Sequence, residues 1–200
     1  MATLENFSDR SITNFRDRLV GGGARSNLFE VNITLPNGVF GLLDVDADMR
    51  FMIKAAEIPA SNIGNIPVPF RGRVLPVAGD RTFDPWTVTI INDDFQIRDT
   101  MEKWSAFIND MVLANGSVDP ASYQRNGIVK QLSRESGSGA IPVLRQYNFT
   151  GIYPNTISSI PLDYGATDQI EEFQVTFNYL YWTEGNTAGK QSFENQATGI

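Results

Sequence analysis

Trp86-Thr87-Val88-Thr89-Ile90 is the stretch on which the fold turns. Its apolar side chains fall on every second residue with threonines between them, the pattern of a strand with one face in a core and one in water. Directly behind it the period changes. Ile97, Met101, Trp104, Ile108 and Met111 step by four, three, four and three, which lines them along one stripe of a helix. That helix is predicted over residues 95–114, about 18–20 residues and about 30 Å long. Asn92, Asp93 or Asp94 can cap its start by accepting from free backbone donors, and Asn115-Gly116 stops it.

Working outward, Gly79-Asp80 marks a turn before the strand, and residues 71–77 predict another strand whose end Pro76 assigns to an edge. Residues 57–70 hold Pro59, Pro67 and Pro69 around Gly64. Proline lacks the donor that a central strand needs, so this segment is predicted as a long surface loop or hairpin tip. Residues 51–56 form an apolar strand. Phe29, Val31, Ile33 and Leu35 alternate with Glu30, Asn32 and Thr34 in a half-buried one, turned by Pro36-Asn37-Gly38. Residues 1–25 contain Gly21-Gly22-Gly23 and read as a flexible arm with a short helix around residues 12–20.

Downstream, periodicity fades over residues 117–141, a flexible insertion in composition with Ser136-Gly137-Ser138-Gly139 at its end. Strand character returns at residues 143–152 and is broken by Pro154-Asn155. The longest strand candidate carries Phe173, Val175, Phe177, Tyr179 and Tyr181 on one face. Residues 183–200 are a polar extension, expected to be disordered without a partner. The chain thus reads as an arm (1–25), a domain (26–182) and a C-terminal extension (183–200). Runs of strands around one helix imply a mainly β (α+β) domain, a sandwich or small barrel flanked by that helix. Exposed edges of such a sheet recruit other chains unless blocked.

The chain has neither cysteine nor histidine. Disulfides, thiolate nucleophiles and the usual metal ligand and general base go with them. No cofactor is expected. The formal net charge of −7 opposes tight nucleic-acid binding, which rests on basic side chains displacing counterions. No apolar run approaches the roughly 18 residues of a membrane helix. Residues 1–10 carry acids and no apolar stretch, so they are not read as a secretory signal and a cytosolic product is expected.

Candidate chemistry is thin. Asp44-Val45-Asp46-Ala47-Asp48 matches the start of a calcium-binding loop, but Met49 and Ala55 stand where the glycine and the bidentate glutamate belong. A solvated acidic loop accounts for it better. Gly21-Gly22-Gly23 follows no strand and no lysine closes it, so it reads as a hinge rather than a phosphate cradle. Glu171 and Glu172, adjacent on a strand, point to opposite faces and cannot share an acid/base site, and Asp93 and Asp94 already have a capping role. Arg71-Gly72-Arg73 is a basic spot suited to a partner's carboxylates or to phosphate. The reading is non-enzymatic.

The segment Ile66-Pro67-Val68-Pro69-Phe70-Arg71-Gly72-Arg73, with Val77-Ala78-Gly79-Asp80-Arg81-Thr82-Phe83-Asp84-Pro85-Trp86-Thr87-Val88-Thr89 after it, resembles the tail-tube proteins of T-even-type contractile-tailed phages. Asn92-Asp93, the tryptophan-bearing helix, Gly151-Ile152-Tyr153-Pro154-Asn155 and the closing Tyr181-Trp182 fit the same family. The likeness spans residues 26–182. The arm, the acidic stretch and residues 183–200 look like additions.

The resemblance implies a structural virion protein, made in the host cytoplasm and located in the tail. Six subunits would close into a ring around a β-barrel lumen. Rings would stack from the baseplate along a tape-measure protein, inside the sheath and beneath a tail terminator, and DNA would pass transiently. A type VI secretion or tailocin tube without DNA is the alternative, and a carboxylate-based baseplate hydrolase a more distant one. Lumen strands are expected near residues 50–56, 71–78, 143–152 and 170–182. Contacts between rings or subunits are expected at Pro59, Ile63, Ile66, Pro67, Phe70, Arg71, Arg73, Asp80 and Arg81. The loop 57–70 and the arm are expected to order only when the next ring arrives, and the lumen, acidic or neutral, to include Asp168, Glu171 and Glu172.

Overall fold

In a computed structural model the described residues are 12–18, 24–36, 50, 52–92, 96–111, 113, 115–117, 119–134, 142–165 and 167–185. The acidic stretch 44–48, the glycine run 21–23, the caps Asp93 and Asp94, the linker 136–139 and residues 186–200 lie outside them. The elements run α1 (Ile12–Arg18), β1 (Phe29–Ile33), β2 (Ile53–Ala56), β3 (Asn62–Phe70), β4 (Arg73–Thr82), β5 (Trp86–Ile91), α2 (Gln96–Ile108), α3 (Pro120–Tyr123), β6 (Arg125–Leu132), β7 (Val143–Ile157), β8 (Glu172–Asn178) and β9 (Tyr181–Glu184).

A single antiparallel path, β1-β6-β7-β8-β5-β2 with β9 beside β7, folds over on itself into two leaves. The fold-over lies in β7. Its first half pairs with β6 and β9, and beyond Ile152 it pairs with β8. Between the halves sits Gly151 at φ +69°, where a glycine bends a strand at a barrel corner. The leaves meet through Trp86 of β5, stacked 4.6 Å from Phe149 of β7. Val31, Ile33 and Val129 from one leaf and Val88, Ile90, Phe173, Val175 and Phe177 from the other complete the core. The alternation read at residues 86–90 is the observed one: Trp86, Val88 and Ile90 are buried and Thr87 and Thr89 are not.

Helix α2 adds Ile97, Met101 and Trp104 to this core, and the Trp104 indole N–H donates to the Tyr123 carbonyl at 2.9 Å. The helix is shorter than its periodicity predicts. It stops at Ile108, where Asn109 pairs with Gly116, and Met111 lies beyond it, exposed.

Further expectations change, among them the turn at Gly79-Asp80, which lies inside β4. Residues 125–132 are the interior strand β6, not a flexible insertion. Its inward side holds Gly127 against Ile152 while Ile128 faces out, so no apolar alternation marks it. Pro154-Asn155 does not end β7 but makes a bulge within it, because there β7 pairs, among the described residues, with β8 on one side only. The last strand is two, since the chain breaks register at Tyr179 and Leu180 to follow the β7 bend. Finally, of the loop or hairpin tip expected at residues 57–70, the hairpin is what forms, with residues 62–70 as its first strand.

Candidate assembly surfaces

That hairpin, β3 and β4, pairs with no other described strand. Its turn is Arg71-Gly72 with φ of 45° and 79°, a two-residue turn whose twist suits the flanking strands. Phe70 pairs with Arg73 beside the turn, so alternate pairs outward are Pro69–Val74, Val68–Leu75, Pro67–Pro76 and Ile66–Val77. In such a hairpin the pair flanking the turn exchanges hydrogen bonds and the next does not. Pro67, Pro69 and Pro76 therefore occupy positions whose missing donor the pair never needed. On the outer edges those same positions lack an N–H to offer another strand. This blocks edge pairing and leaves the faces, not the edges, exposed for contact.

One face carries Ile66, Val68, Phe70, Leu75 and Val77, with Phe70 67% and Leu75 60% exposed. An isolated two-stranded hairpin is marginal in water, and among the described residues this one has no core beneath it. The Arg71 guanidinium sits 5.3 Å over the Phe70 ring, and Arg73 flanks it. Ile63 and Arg81 pair near the base, Arg81 donates to Ser61 Oγ, and the Asp80 backbone closes against Gly64 at a bulge. Eight of the nine expected contact residues thus share one element, and Pro59 lies at its root. Val68, Leu75 and Val77 share this face although none is among the expected contacts. The alternation 66/68/70 against 75/77 marks them, but the interleaved prolines read as loop.

The second surface is the leaf β7-β8-β5-β2. Its end strands, β2 and the second half of β7, each lack a partner on one side among the described residues, and they run in opposite directions. The solvent face is polar. Thr156, Thr176 and Thr87 form a cross-strand row, with Thr87 and Thr176 hydroxyls 3.2 Å apart, and Thr89 faces Gln174. Lys54 Nζ meets Glu172 Oε1 at 2.6 Å.

The expected lumen acids have different surroundings. Glu172 lies on this face, neutralised by Lys54. Glu171 accepts from Asn92 Nδ2 at 2.9 Å, and Asp168 holds a left-handed φ of 61° in the loop 158–171. That loop exposes Leu162, Tyr164 and Ile170 around an open recess of about 730 Å³. Of the four expected lumen segments, residues 50–56 and 170–182 contribute β2 and β8 to this leaf. Residues 71–78 lie in the hairpin and 143–152 in the other leaf. Among the described residues no acids gather as a metal site, and no helix is long and apolar enough to cross a membrane.

Comparison with known proteins agrees with this architecture. The family described as phage tail tube protein matches residues 24–185. Tail tube protein gp19 of Enterobacteria phage T4 is 33% identical over 168 residues, covering 81% of this chain and 92% of that one. A tail tube protein of Serratia phage KSP90 is 26% identical over 173 residues, 85% of this chain and 94% of its own. Among solved structures, a chain of the anti-feeding prophage baseplate superposes with a TM-score of 0.57 at 14% identity, covering 81% of this chain and 95% of that chain, a likeness of fold. The chain belongs to the phage tail tube protein family.

Proposed function

We propose that this tail-tube protein polymerises as stacked six-membered rings that form the inner tube of a contractile tail, through which DNA passes. The observation that carries the reading is the pair of unpartnered edges on the leaf β7-β8-β5-β2. Because β2 and β7 run in opposite directions, a head-to-tail copy sets β2 of one subunit antiparallel to β7 of the next, and the alternation is never broken around the ring. Each subunit then contributes four strands to a lumen barrel whose inner face is the threonine row with its Lys54–Glu172 pair. The hairpin, edge-blocked and apolar on its face, reaches a second copy face-on and stacks the rings.

The same reading assigns the chain no catalytic role, and a sheath, a tape-measure protein, a baseplate and a terminator as partners in the virion tail. The test is negative-stain microscopy of the purified chain, where rings or hollow fibres are expected. A strict monomer at every concentration, together with its absence from purified virions, would end the proposal. Nuclease-protected DNA inside the parent particle separates a phage tube from a secretion tube without DNA cargo.

A further inference from the structure

The hairpin joins the body through two irregular legs, residues 57–61 and 83–85. Unsupported, they would be a swivel. A strand of nine residues spans about 30 Å, so a swing of about 10° at the root moves the tip roughly 5 Å, a full strand spacing. A subunit whose hairpin wandered that far could not meet a fixed docking face.

The first leg is held by two indoles from different strands. Trp86 Nε1–H donates to the Glu57 carbonyl at 2.8 Å, and Trp182 Nε1–H donates to the Ala60 carbonyl at 3.1 Å. Both donors are fixed in their own right. Trp86 is 2% exposed, stacked on Phe149, and Trp182 in β9 makes an edge contact with Tyr147 at 5.5 Å. The acceptors lie three residues apart with Pro59 between them, where φ is already fixed. Each leg is tied across the root to the opposite strand, Asp84 Oδ2 accepting from Asn62 Nδ2 and Ser61 Oγ from Arg81, and the Phe83 ring centroid lies 5.8 Å from that of Tyr179.

We infer that Trp182, with Trp86, is a positioning residue for tube growth: the two indole donors clamp the leg 57–61 so that the hairpin leaves the free subunit already aimed at its docking site. This departs from the expectation that the hairpin's course is set only when the next ring arrives. It rests on the reading above in which the hairpin docks on a second copy. Growth rate should then scale with the fraction of subunits whose hairpin is aligned.

The experiment replaces Trp182 in the full-length chain with 3-benzothienylalanine, which keeps the ring shape and loses the N–H, so that packing survives. Elongation from sheared tube seeds is followed by light scattering, amide exchange of residues 62–82 is measured in the unassembled subunit, and melting is recorded. Losing one neutral hydrogen bond of ordinary strength lowers the ratio of aligned to misaligned hairpins about fivefold, so elongation should slow measurably, by at most that factor, while exchange across the hairpin speeds up and melting of the body is unchanged. Wild-type elongation overturns the inference, whether or not exchange changes, because the bond would then hold structure without aiming the hairpin. Leu75→Asp, run in parallel, tests the docking reading separately. If it grows tubes normally, that reading fails and the clamp with it. If it stops growth while the position-182 isostere grows normally, docking stands and the clamp falls.

Discussion

At Gly151 one residue decides whether two leaves can share a strand. Its φ of +69° is one that side chains resist, and an added Cβ would lie 2.7 Å from Leu180 Cδ1. Leu180 is half exposed and can swing aside, so backbone strain is the larger part. Gly151→Ala should cost about 2 kcal/mol in urea unfolding, and adding Leu180→Ala should recover only the clash. Full recovery would contradict the strain account. Nearby, burial first and then the Asp84 carboxylate hold the Tyr179 phenol above its ordinary range. A phenol raised in the folded state lends stability that is complete below its unfolded value of about 10 and is lost as pH climbs through the folded one. Wild type should therefore lose stability above about pH 10 more steeply than Tyr179→Phe, by thermal melts from pH 8 to 11. Parallel curves would remove Tyr179 from the account.

At the scale of elements, what was legible in the sequence depended on whether side-chain chemistry or chain pairing set the pattern. The strand at residues 86–90 and the stripe Ile97, Met101 and Trp104 showed themselves because both bury a regular row against one core. Strand β6 hid because Gly127 yields its inward place to Ile152, a neighbour assigned by folding and not by local sequence. The hairpin was half visible: its residues were singled out, but prolines at non-bonding positions looked like breakers when they act as edge guards. That distinction is testable. Val68→Asp and Leu75→Asp place charge on an exposed face, so the subunit's melting should shift by less than about 0.5 kcal/mol, and rings should still close. Stacking into tubes should stop. Substituting Pro67 and Pro69 by threonine should do the opposite, restoring edge donors and producing irregular side-by-side aggregates by light scattering. Clean tubes from that variant would mean the prolines guard nothing.

At the scale of the whole molecule, the chain's charge and the proposed channel can be weighed together. A net charge of −7 suggests repulsion of DNA, but the face proposed to meet it is nearly neutral: threonines, Gln174 and one self-cancelling pair, Lys54–Glu172. For a conduit, neutrality is the useful property. Each cation facing DNA would release condensed counterions and add to affinity, whereas hydroxyls exchange hydrogen bonds with water and leave the duplex unheld. Six-fold repetition multiplies any error, since one lysine per subunit becomes a ring of six and every stacked ring adds another. Gln174→Lys should therefore leave ring and tube formation intact by microscopy and slow DNA ejection strongly at low salt. The delay should shrink as salt rises, because screening weakens phosphate contacts. Glu172→Gln, which frees Lys54 from its partner, should act in the same direction with a smaller delay. An ejection rate indifferent to both substitutions at low salt would mean that this leaf does not face the DNA, and the other leaf, with Glu30 shared between Arg50 and Lys130, would become the candidate lining.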